Sequence, residues 1–233
     1  MKEARVLVVD DEPQIVRFLR PALEAAGYET IEAGTGAEAL HNAVTRAPDI
    51  MILDLGLPDM DGKEVVSRLR AFSALPIIIL SARDRESEKI AALDIGADDY
   101  VEKPFRIGEL MARIRTALRH SGKSERPLER IEAGELVIDF VHRRVERAGE
   151  AVRLTPKEYD LLAVLARSGG KVLTHRNLLT AVWGAAHAED TQYLRVFIGQ
   201  LRGKLEEDAN HPALIVTEPG VGYRFWGRGP DRD

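Results

Sequence analysis

The sequence predicts an α/β domain, a parallel sheet with helices on both faces, followed by a smaller domain of mixed α+β type. Three observations predict this. Short apolar runs alternate with amphipathic helical stretches through residues 1–120. A polar segment containing Gly, Ser and Pro, with no apolar period, comes next. The remainder mixes hairpin patterns with three helices. Unbroken apolar runs of this length read as strands covered on both faces. Five strands alternating with five helices then require crossover connections and a parallel sheet.

The elements follow in order. Val6-Leu7-Val8-Val9 is a strand that runs into Asp10-Asp11, and helical patterns occupy 13–26 and 36–46. Ile50-Met51-Ile52-Leu53 runs into Asp54 and precedes a helix near 62–70. Ile77-Ile78-Ile79-Leu80 runs into Ser81, with a helix near 84–95. The shorter Asp99-Tyr100-Val101-Glu102 leads to Lys103-Pro104. Ile107, Leu110, Met111, Ile114 and Leu118 then recur at 3-4-3-4 spacing, one apolar stripe of a helix over 107–120. The segment after His120 reads as a linker, so the domains are expected at 1–120 and 129–233 with a linker over 121–128.

In the second domain, 136–140 and 145–154 look like hairpin strands with a turn at 147–150. Thr155-Pro156-Lys157-Glu158 is a helix start: Thr155 as N-cap, Pro156 in the first helical position and Glu158 completing a capping box. Helices are expected near 176–183 and over 191–206, the latter with Asp190 as cap. A hairpin closes the fold, with Ile215-Val216-Thr217 and Tyr223-Arg224-Phe225-Trp226 flanking Gly220-Val221-Gly222.

Composition narrows the class. With 45% hydrophobic and 30% charged residues, disorder is disfavoured. The chain has no cysteine, which excludes disulfides and thiolate metal sites and fits a reducing cytoplasm. No apolar stretch approaches a membrane span, and the start of the chain lacks the apolar core of a signal peptide, so the expectation is a soluble, cytoplasmic protein without membrane insertion. The first 121 residues hold 16 Lys and Arg against 21 Asp and Glu, whereas the rest holds 17 of each. Net charge therefore does not mark a nucleic-acid binder; the placement of the charges must do so.

In an open parallel sheet, ligands sit at the carboxyl ends of the strands. Asp10, Asp11, Asp54, Ser81 and Lys103 each follow a strand, so they converge on one rim. An aspartate attacks phosphorus only if cations neutralise the repulsion between two anions. Asp10 and Asp11 offer oxygens suited to Mg²⁺, Lys103 places a point charge on phosphoryl oxygens, and Ser81 donates a hydrogen bond. The bland reading is that acidic pairs after strands cap the next helix, as Asp11-Glu12-Pro13 can. Capping alone does not account for the whole set at successive strand ends.

This half resembles the receiver domain of two-component response regulators, on Val8-Val9-Asp10-Asp11-Glu12, on Ile52-Leu53-Asp54-Leu55-Gly56-Leu57-Pro58-Asp59-Met60-Asp61-Gly62, on Leu80-Ser81-Ala82-Arg83 and on the stretch from Gly96 to Phe105. The resemblance implies a flavodoxin-like, doubly wound five-stranded sheet. It implies that Asp54 accepts a phosphoryl group from a sensor histidine kinase, and that Asp11 (directly), Asp10 (largely through water), Asp54 and the Gly56 carbonyl bind Mg²⁺. Ser81 and Tyr100 would be a switch pair, with Tyr100 turning inward on phosphorylation. The dimer face of the OmpR/PhoB class would carry Lys89, Asp98, Asp99, Glu109, Arg113 and Arg119.

The second half is similar to the winged helix-turn-helix domain of the same class, on the run from Leu154 to Leu162, the helix carrying Leu194 to Leu205, and Gly220-Val221-Gly222-Tyr223-Arg224-Phe225. The resemblance makes 191–206 the recognition helix for double-stranded promoter DNA, with Tyr193, Arg195, Gln200, Arg202 and Lys204 as contacts. Gly220, Gly222, Tyr223 and Arg224 would belong to the wing, and 183–190 would face RNA polymerase. Gly199, Gln200 and Pro219 stand where many relatives have basic residues. Within the class the likeness is to regulators of potassium-transport operons. Together these features predict a phosphorylation-dependent transcriptional regulator that dimerises when phosphorylated, and not an enzyme beyond self-phosphorylation and self-dephosphorylation.

Two other readings compete. A phosphatase of haloacid-dehalogenase type also phosphorylates an aspartate after a strand, but it needs a general acid two residues later, where Gly56 stands. A receiver with a protein-interaction output would share the first half and would leave no footprint on a promoter.

Overall fold

The computed structural model describes residues 4–82, 86–121 and 129–226. The chain forms two compact units, Met1–Lys123 and Ser124–Asp233. The linker expected over 121–128 lies, from residue 122 on, outside the described residues.

In the first unit, strands β1 (Arg5–Val9), β2 (Glu29–Ala33), β3 (Ile50–Asp54), β4 (Ile77–Ala82) and β5 (Asp99–Lys103) alternate with helices. The helices are α1 (Pro13–Ala25), α2 (Gly36–Thr45), α3 (Gly62–Arg70), α4 (Glu86–Asp94) and α5 (Ile107–Ser121). The strands are all parallel, in the order β2-β1-β3-β4-β5. This is the doubly wound, flavodoxin-like order, whose direction reverses between β1 and β3. The apolar runs are why the centre holds: Val6 to Val9, Ile50 to Leu53 and Ile77 to Leu80 are fully buried. Strand β2 is an edge strand, and only Ile31 and Ala33 of its five residues are buried, which is why no apolar run announces it.

The register levels the strand ends. Val9 lies opposite Leu53, Asp54 opposite Leu80, and Ser81 opposite Glu102. Asp10, Asp54, Ser81 and Lys103 therefore reach one rim, next to the point where the strand order reverses. At the opposite end, Arg70 ties three segments together. Its guanidinium donates to the carbonyls of Gly96 (2.8 Å), Ser73 (3.1 Å) and Leu75 (2.7 Å) and pairs with Asp98 (2.9 Å).

The second unit has a four-stranded antiparallel sheet of β6 (Arg130–Ala133), β7 (Leu136–Asp139), β8 (Arg144–Arg147) and β9 (Glu150–Ala151). Helices α6 (Pro156–Arg167), α7 (His175–Trp183) and α8 (Thr191–Leu205) follow, with β10 (Val172–Thr174) between the first two. Strands β11 (Ile215–Glu218) and β12 (Gly222–Phe225) close the unit in a second sheet, ordered β10-β12-β11. One core joins both sheets to the helices through Leu136, Ile138, Leu161, Leu165, Leu178, Leu194, Ile198, Leu201 and Phe225. Strands β6 and β10 carry little signal in the sequence because they are only four and three residues long. The expected 145–154 strand is broken at Ala148-Gly149, both at positive φ (51° and 80°). Asp190 makes no capping bond to α8; its carboxylate instead meets His187 Nδ1 at 2.8 Å.

The capping box at α6 is present, and it is more than local. Glu158 accepts from the Thr155 N–H at 2.7 Å, and Lys204 of α8 reaches both of its oxygens at 2.7 Å. Burial works against this carboxylate; the Lys204 ammonium and the Thr155 donors outweigh it, so its pKa lies below the ordinary glutamate value. A depressed folded pKa adds stability that is present above the unfolded value near 4.5 and is lost as pH falls through the folded value. Glu158→Gln is therefore expected to destabilise the second unit by about 2 kcal/mol at pH 7 and to flatten its stability profile between neutral and acid pH. Urea unfolding followed by tryptophan fluorescence reads this unit alone, because both tryptophans, Trp183 and Trp226, lie in it. Equal profiles for the variant and the parent would place Glu158 outside the acid response.

Candidate functional site

At the rim, the Lys103 ammonium lies 3.0 Å from Asp10 Oδ2, 2.9 Å from Asp54 Oδ2 and 3.5 Å from Glu12 Oε1. The Lys103-Pro104 peptide is cis. Oxygens of Asp10, Glu12 and Asp54 lie within 4.8 Å of one another. Asp10 has no exposed side-chain surface, and Asp54 keeps 16%. Burial pushes the Asp10 carboxyl above the ordinary range, against the lowering effect of the Glu12 N–H and Lys103. Burial also works against the Lys103 ammonium, but its bonds to Asp54 and Asp10 outweigh that and raise its pKa. The rim therefore holds a fixed cation between two carboxylates, with room on the exposed side of Asp54.

The capping alternative is settled by geometry. Glu12 is the N-cap of α1 but makes no side-chain cap bond; it turns toward Lys103 and accepts from Gln14 Nε2 at 3.0 Å. Asp10 Oδ1 accepts the Glu12 N–H at 2.9 Å, which orients the acidic segment. Asp11, expected as a direct Mg²⁺ ligand, is exposed and stands outside the three-carboxylate cluster; Glu12, not among the expected ligands, is inside. Gly56 donates its N–H to Asp54 Oδ1 at 3.3 Å and pairs with Asp61 across the turn. The donors are hard carboxylate oxygens with no sulfur or imidazole among them, so the set fits Mg²⁺ and not a thiophilic metal.

Ser81 follows Leu80 at the end of β4; its side chain lies outside the described residues. Tyr100 is buried, with the Lys89 ammonium 5.3 Å from its ring centre. The resemblance assigns Tyr100 an inward turn on phosphorylation; here it is buried at the end of the sheet.

The expected dimer face is largely engaged within the unit. Lys89 is buried and pairs with Glu102 at 2.6 Å. Asp98 is buried on Arg70 and on the Ile77 N–H at 2.7 Å. Asp99 is buried against Arg113, which also holds Glu109. Of the six residues, Glu109 and Arg119 are exposed. Lys89, Asp98 and Asp99 are corrected from surface charges to internal ones, because a neighbouring element supplies each with a partner.

In the second unit, α8 buries Leu194, Ile198, Leu201 and Leu205 and exposes Gln192, Tyr193, Arg195, Val196, Gly199, Gln200 and Gly203. Two expected contacts face the fold instead. Arg202 donates to the Ile215 carbonyl (3.0 and 2.6 Å) and to Thr217 Oγ1 (2.8 Å), tying α8 to β11. Lys204 is held by Glu158. In the hairpin, Gly220 is exposed at φ 72°, whereas Gly222, Tyr223 and Arg224 are buried. A Cβ on Gly222 would collide with the Leu173 carbonyl. Arg224 donates to Glu218 (2.6 Å) and to the Gly170 carbonyl (2.8 Å), so it supports the hairpin from beneath. Tyr193, Arg195, Gln200 and Gly220 are the expected contacts that remain on the surface.

Comparison with known proteins accords with both units. Residues 6–115 match the family described as response regulator receiver domain, and residues 149–225 match transcriptional regulatory protein, C terminal. The chain is 52% identical over 220 residues to the KDP operon transcriptional regulatory protein KdpE of Escherichia coli strain K12, covering 94% of this chain and 98% of that protein. It is 49% identical over 223 residues to the transcriptional regulatory protein KdpE of Mycobacterium tuberculosis, with the same coverage. Among solved structures, the response regulator DrrB of Thermotoga maritima, an OmpR/PhoB homologue, is 30% identical with a TM-score of 0.51, covering 96% of this chain and 99% of that one.

Proposed function

The chain belongs to the two-component response regulators of the OmpR/PhoB type, and from that premise we propose that Asp54 is its phosphoacceptor and that the charge it gains controls pairing along a promoter. The protein is a phosphorylation-dependent, DNA-binding transcriptional regulator, a family of transcription factors and not of enzymes. The observation that carries the assignment of Asp54 is the Lys103 ammonium, 2.9 Å from Asp54 Oδ2 at the reversal of strand order.

In this reading the Asp54 carboxylate attacks the phosphorus carried by a histidine of the sensor kinase. The O–P bond forms as the P–N bond breaks, and the departing imidazole nitrogen keeps the electron pair and takes up a proton. Lys103 neutralises charge on the phosphoryl oxygens, and Ser81 donates to one of them. Asp10, Asp11, Asp54 and the Gly56 carbonyl would hold Mg²⁺, with Glu12 as a further donor suggested by its place in the cluster. When bound, Mg²⁺ supplies charge neutralisation and a template for the transferred group. Any slow self-phosphorylation or self-dephosphorylation uses the same groups. Residues 1–120 act as receiver and 129–233 as the DNA reader.

Phosphorylation then favours a receiver dimer through α4, β5 and α5, with Glu109 and Arg119 outermost. The dimer presents two α8 helices to paired half-sites. The 183–190 segment is assigned to RNA polymerase. One relative is named as the regulatory protein of a KDP operon; that name, with the family likeness to regulators of potassium-transport operons, supports control of such an operon here. Among the described residues no helix is long and apolar enough to cross a membrane. The cytoplasmic assignment rests instead on the promoter-binding role, which needs access to DNA. Mapping bound promoters across the genome tests the operon; absence of a potassium-pump promoter among them removes that assignment. Acetyl phosphate and Mg²⁺ should modify the protein and increase its self-association, and neither change occurring would overturn the scheme.

Arg195 is the exposed cation of α8. Arg195→Ala is expected to weaken promoter binding and to make the salt dependence shallower by about one unit of slope, the signature of one lost phosphate contact. Unchanged affinity and slope would place Arg195 off the DNA.

A further inference from the structure

The connection between β3 and α3, residues 55–61, carries Gly56 beside the acidic rim. Its inner end is fixed by its own backbone and core. Leu55 and Leu57 are buried, and the Gly62 N–H donates to the Leu55 carbonyl at 2.9 Å. A Cβ on Gly62 would come within 2.7 Å of the Asp54 carbonyl oxygen and the Leu55 Cα. Its outer end is held differently. Asp59 Oδ1 accepts the Gly36 N–H at 2.8 Å, and Oδ2 accepts the Ala37 N–H at 2.9 Å. The neighbouring Met60 packs onto the same spot: a Cβ on Gly36 would sit 2.5 Å from Met60 Cγ and 2.9 Å from Val65 Cγ2.

This bidentate contact is not the cap of α2. Thr35 already caps that helix, its hydroxyl accepting the Glu38 N–H at 3.1 Å, and Glu38 in turn accepts the Gly34 N–H at 2.8 Å. Asp59 is a second anion at the same helix start, brought from 23 residues away. The partial positive charge of the helix N-terminus favours it there. A helix that has its own cap gains little from a second; the loop gains a fixed anchor three residues beyond Gly56.

We infer that Asp59 is a positioning residue for the phosphoryl-transfer site, anchoring the 55–61 loop to the start of α2 so that Gly56 is held at the acidic rim. This rests on the reading of Gly56 as a metal-facing residue. Loss of the anchor lets the loop move, and the cost falls on Mg²⁺ affinity and not on the chemistry of Asp54. Residues that orient a metal's ligands from behind change affinity by ten- to a hundredfold when removed, and an exposed anchor belongs at the low end.

The test is calorimetric titration of the full chain with MgCl₂, alongside phosphorylation by acetyl phosphate as a function of Mg²⁺. Asp59→Ala should weaken Mg²⁺ binding about tenfold, with the phosphorylation rate recovering at saturating Mg²⁺. Asp59→Asn, which keeps one acceptor oxygen, should fall between. Thr35→Ala, which removes the cap of α2 and leaves the loop anchor in place, should lower thermal stability without moving Mg²⁺ affinity. Parental Mg²⁺ affinity in Asp59→Ala, or equal weakening in Thr35→Ala, would overturn the inference. If the parent itself bound no Mg²⁺, the assignment of the metal site would fall first, and this inference with it.

Discussion

Asp54→Ala should reduce phosphoryl incorporation from acetyl phosphate or a partner kinase to background, with no loss of folded protein. The carboxylate is the nucleophile in the proposed transfer, and alanine has no atom that can form the O–P bond, so the loss is complete and not graded. Structural damage is not expected to confuse the result. Asp54 stands at the end of β3 with part of its side chain in solvent, and its backbone, not its carboxylate, holds the sheet register. Removing one of several crowded carboxylates also relieves their mutual repulsion, while Asp10 still holds Lys103. The variant should therefore melt at or above the parental temperature. Intact-mass measurement after treatment with acetyl phosphate and Mg²⁺ checks the prediction. Retained acid-labile phosphate at parental stoichiometry would move the acceptor to another residue.

Glu206→Ala should destabilise the second unit by about 3–5 kcal/mol, a large part of the roughly 5–15 kcal/mol that holds an ordinary domain folded. Glu206 follows α8 and is almost fully buried. Its two oxygens accept the N–H groups of Ala213 (2.9 Å), Leu214 (3.0 Å) and Ile215 (2.8 Å). Its own carbonyl accepts from Arg147 Nη1 at 2.9 Å. Alanine would leave three backbone donors without their acceptor at the turn that sets β11 against α8. The same turn presents the Ile215 carbonyl to Arg202, so the mutation loosens the surface helix together with the hairpin. Glu206→Gln, which keeps one carbonyl oxygen, should cost less than half as much. Urea unfolding by tryptophan fluorescence, with DNA binding in parallel, reads the effect. A loss below about 1 kcal/mol would mean that water replaces the carboxylate, and Glu206 would then be a surface feature of the loop.

These two residues differ in how far the sequence exposes them. Asp54 is marked by its position: an apolar run that ends in an acid is visible along the chain, and three runs that each end in a polar residue, two in acids and one in Ser81, name their rim. Glu206 reads as one more charge near the end of an amphipathic helix. Nothing in its neighbours tells that the chain folds back seven to nine residues later to place three N–H groups on it. The same holds for Arg70, whose four partners come from 73, 75, 96 and 98. The cations of α8 were legible as charges but not as roles. Arg195, Arg202 and Lys204 look alike on a helical wheel, and only the positions of Ile215, Thr217 and Glu158 separate the two that brace the fold from the one that faces outward.

The parallel alternation of strands and helices, the apolar cores of both units, the α6 capping box and the rim of Asp10, Asp54 and Lys103 follow from the sequence by itself. They depend on period, burial and chain connectivity, which act between near neighbours or repeat along the chain. Tertiary structure alone decided that Glu12 and not Asp11 joins the carboxylates, that Lys89, Asp98 and Asp99 are satisfied internally, that Tyr223 and Arg224 lie beneath the wing, and that Asp59 anchors a loop to a distant helix. Each of these is a choice of partner for a polar group, and a polar group binds whichever complementary atom the packing of the apolar core brings within about 3 Å.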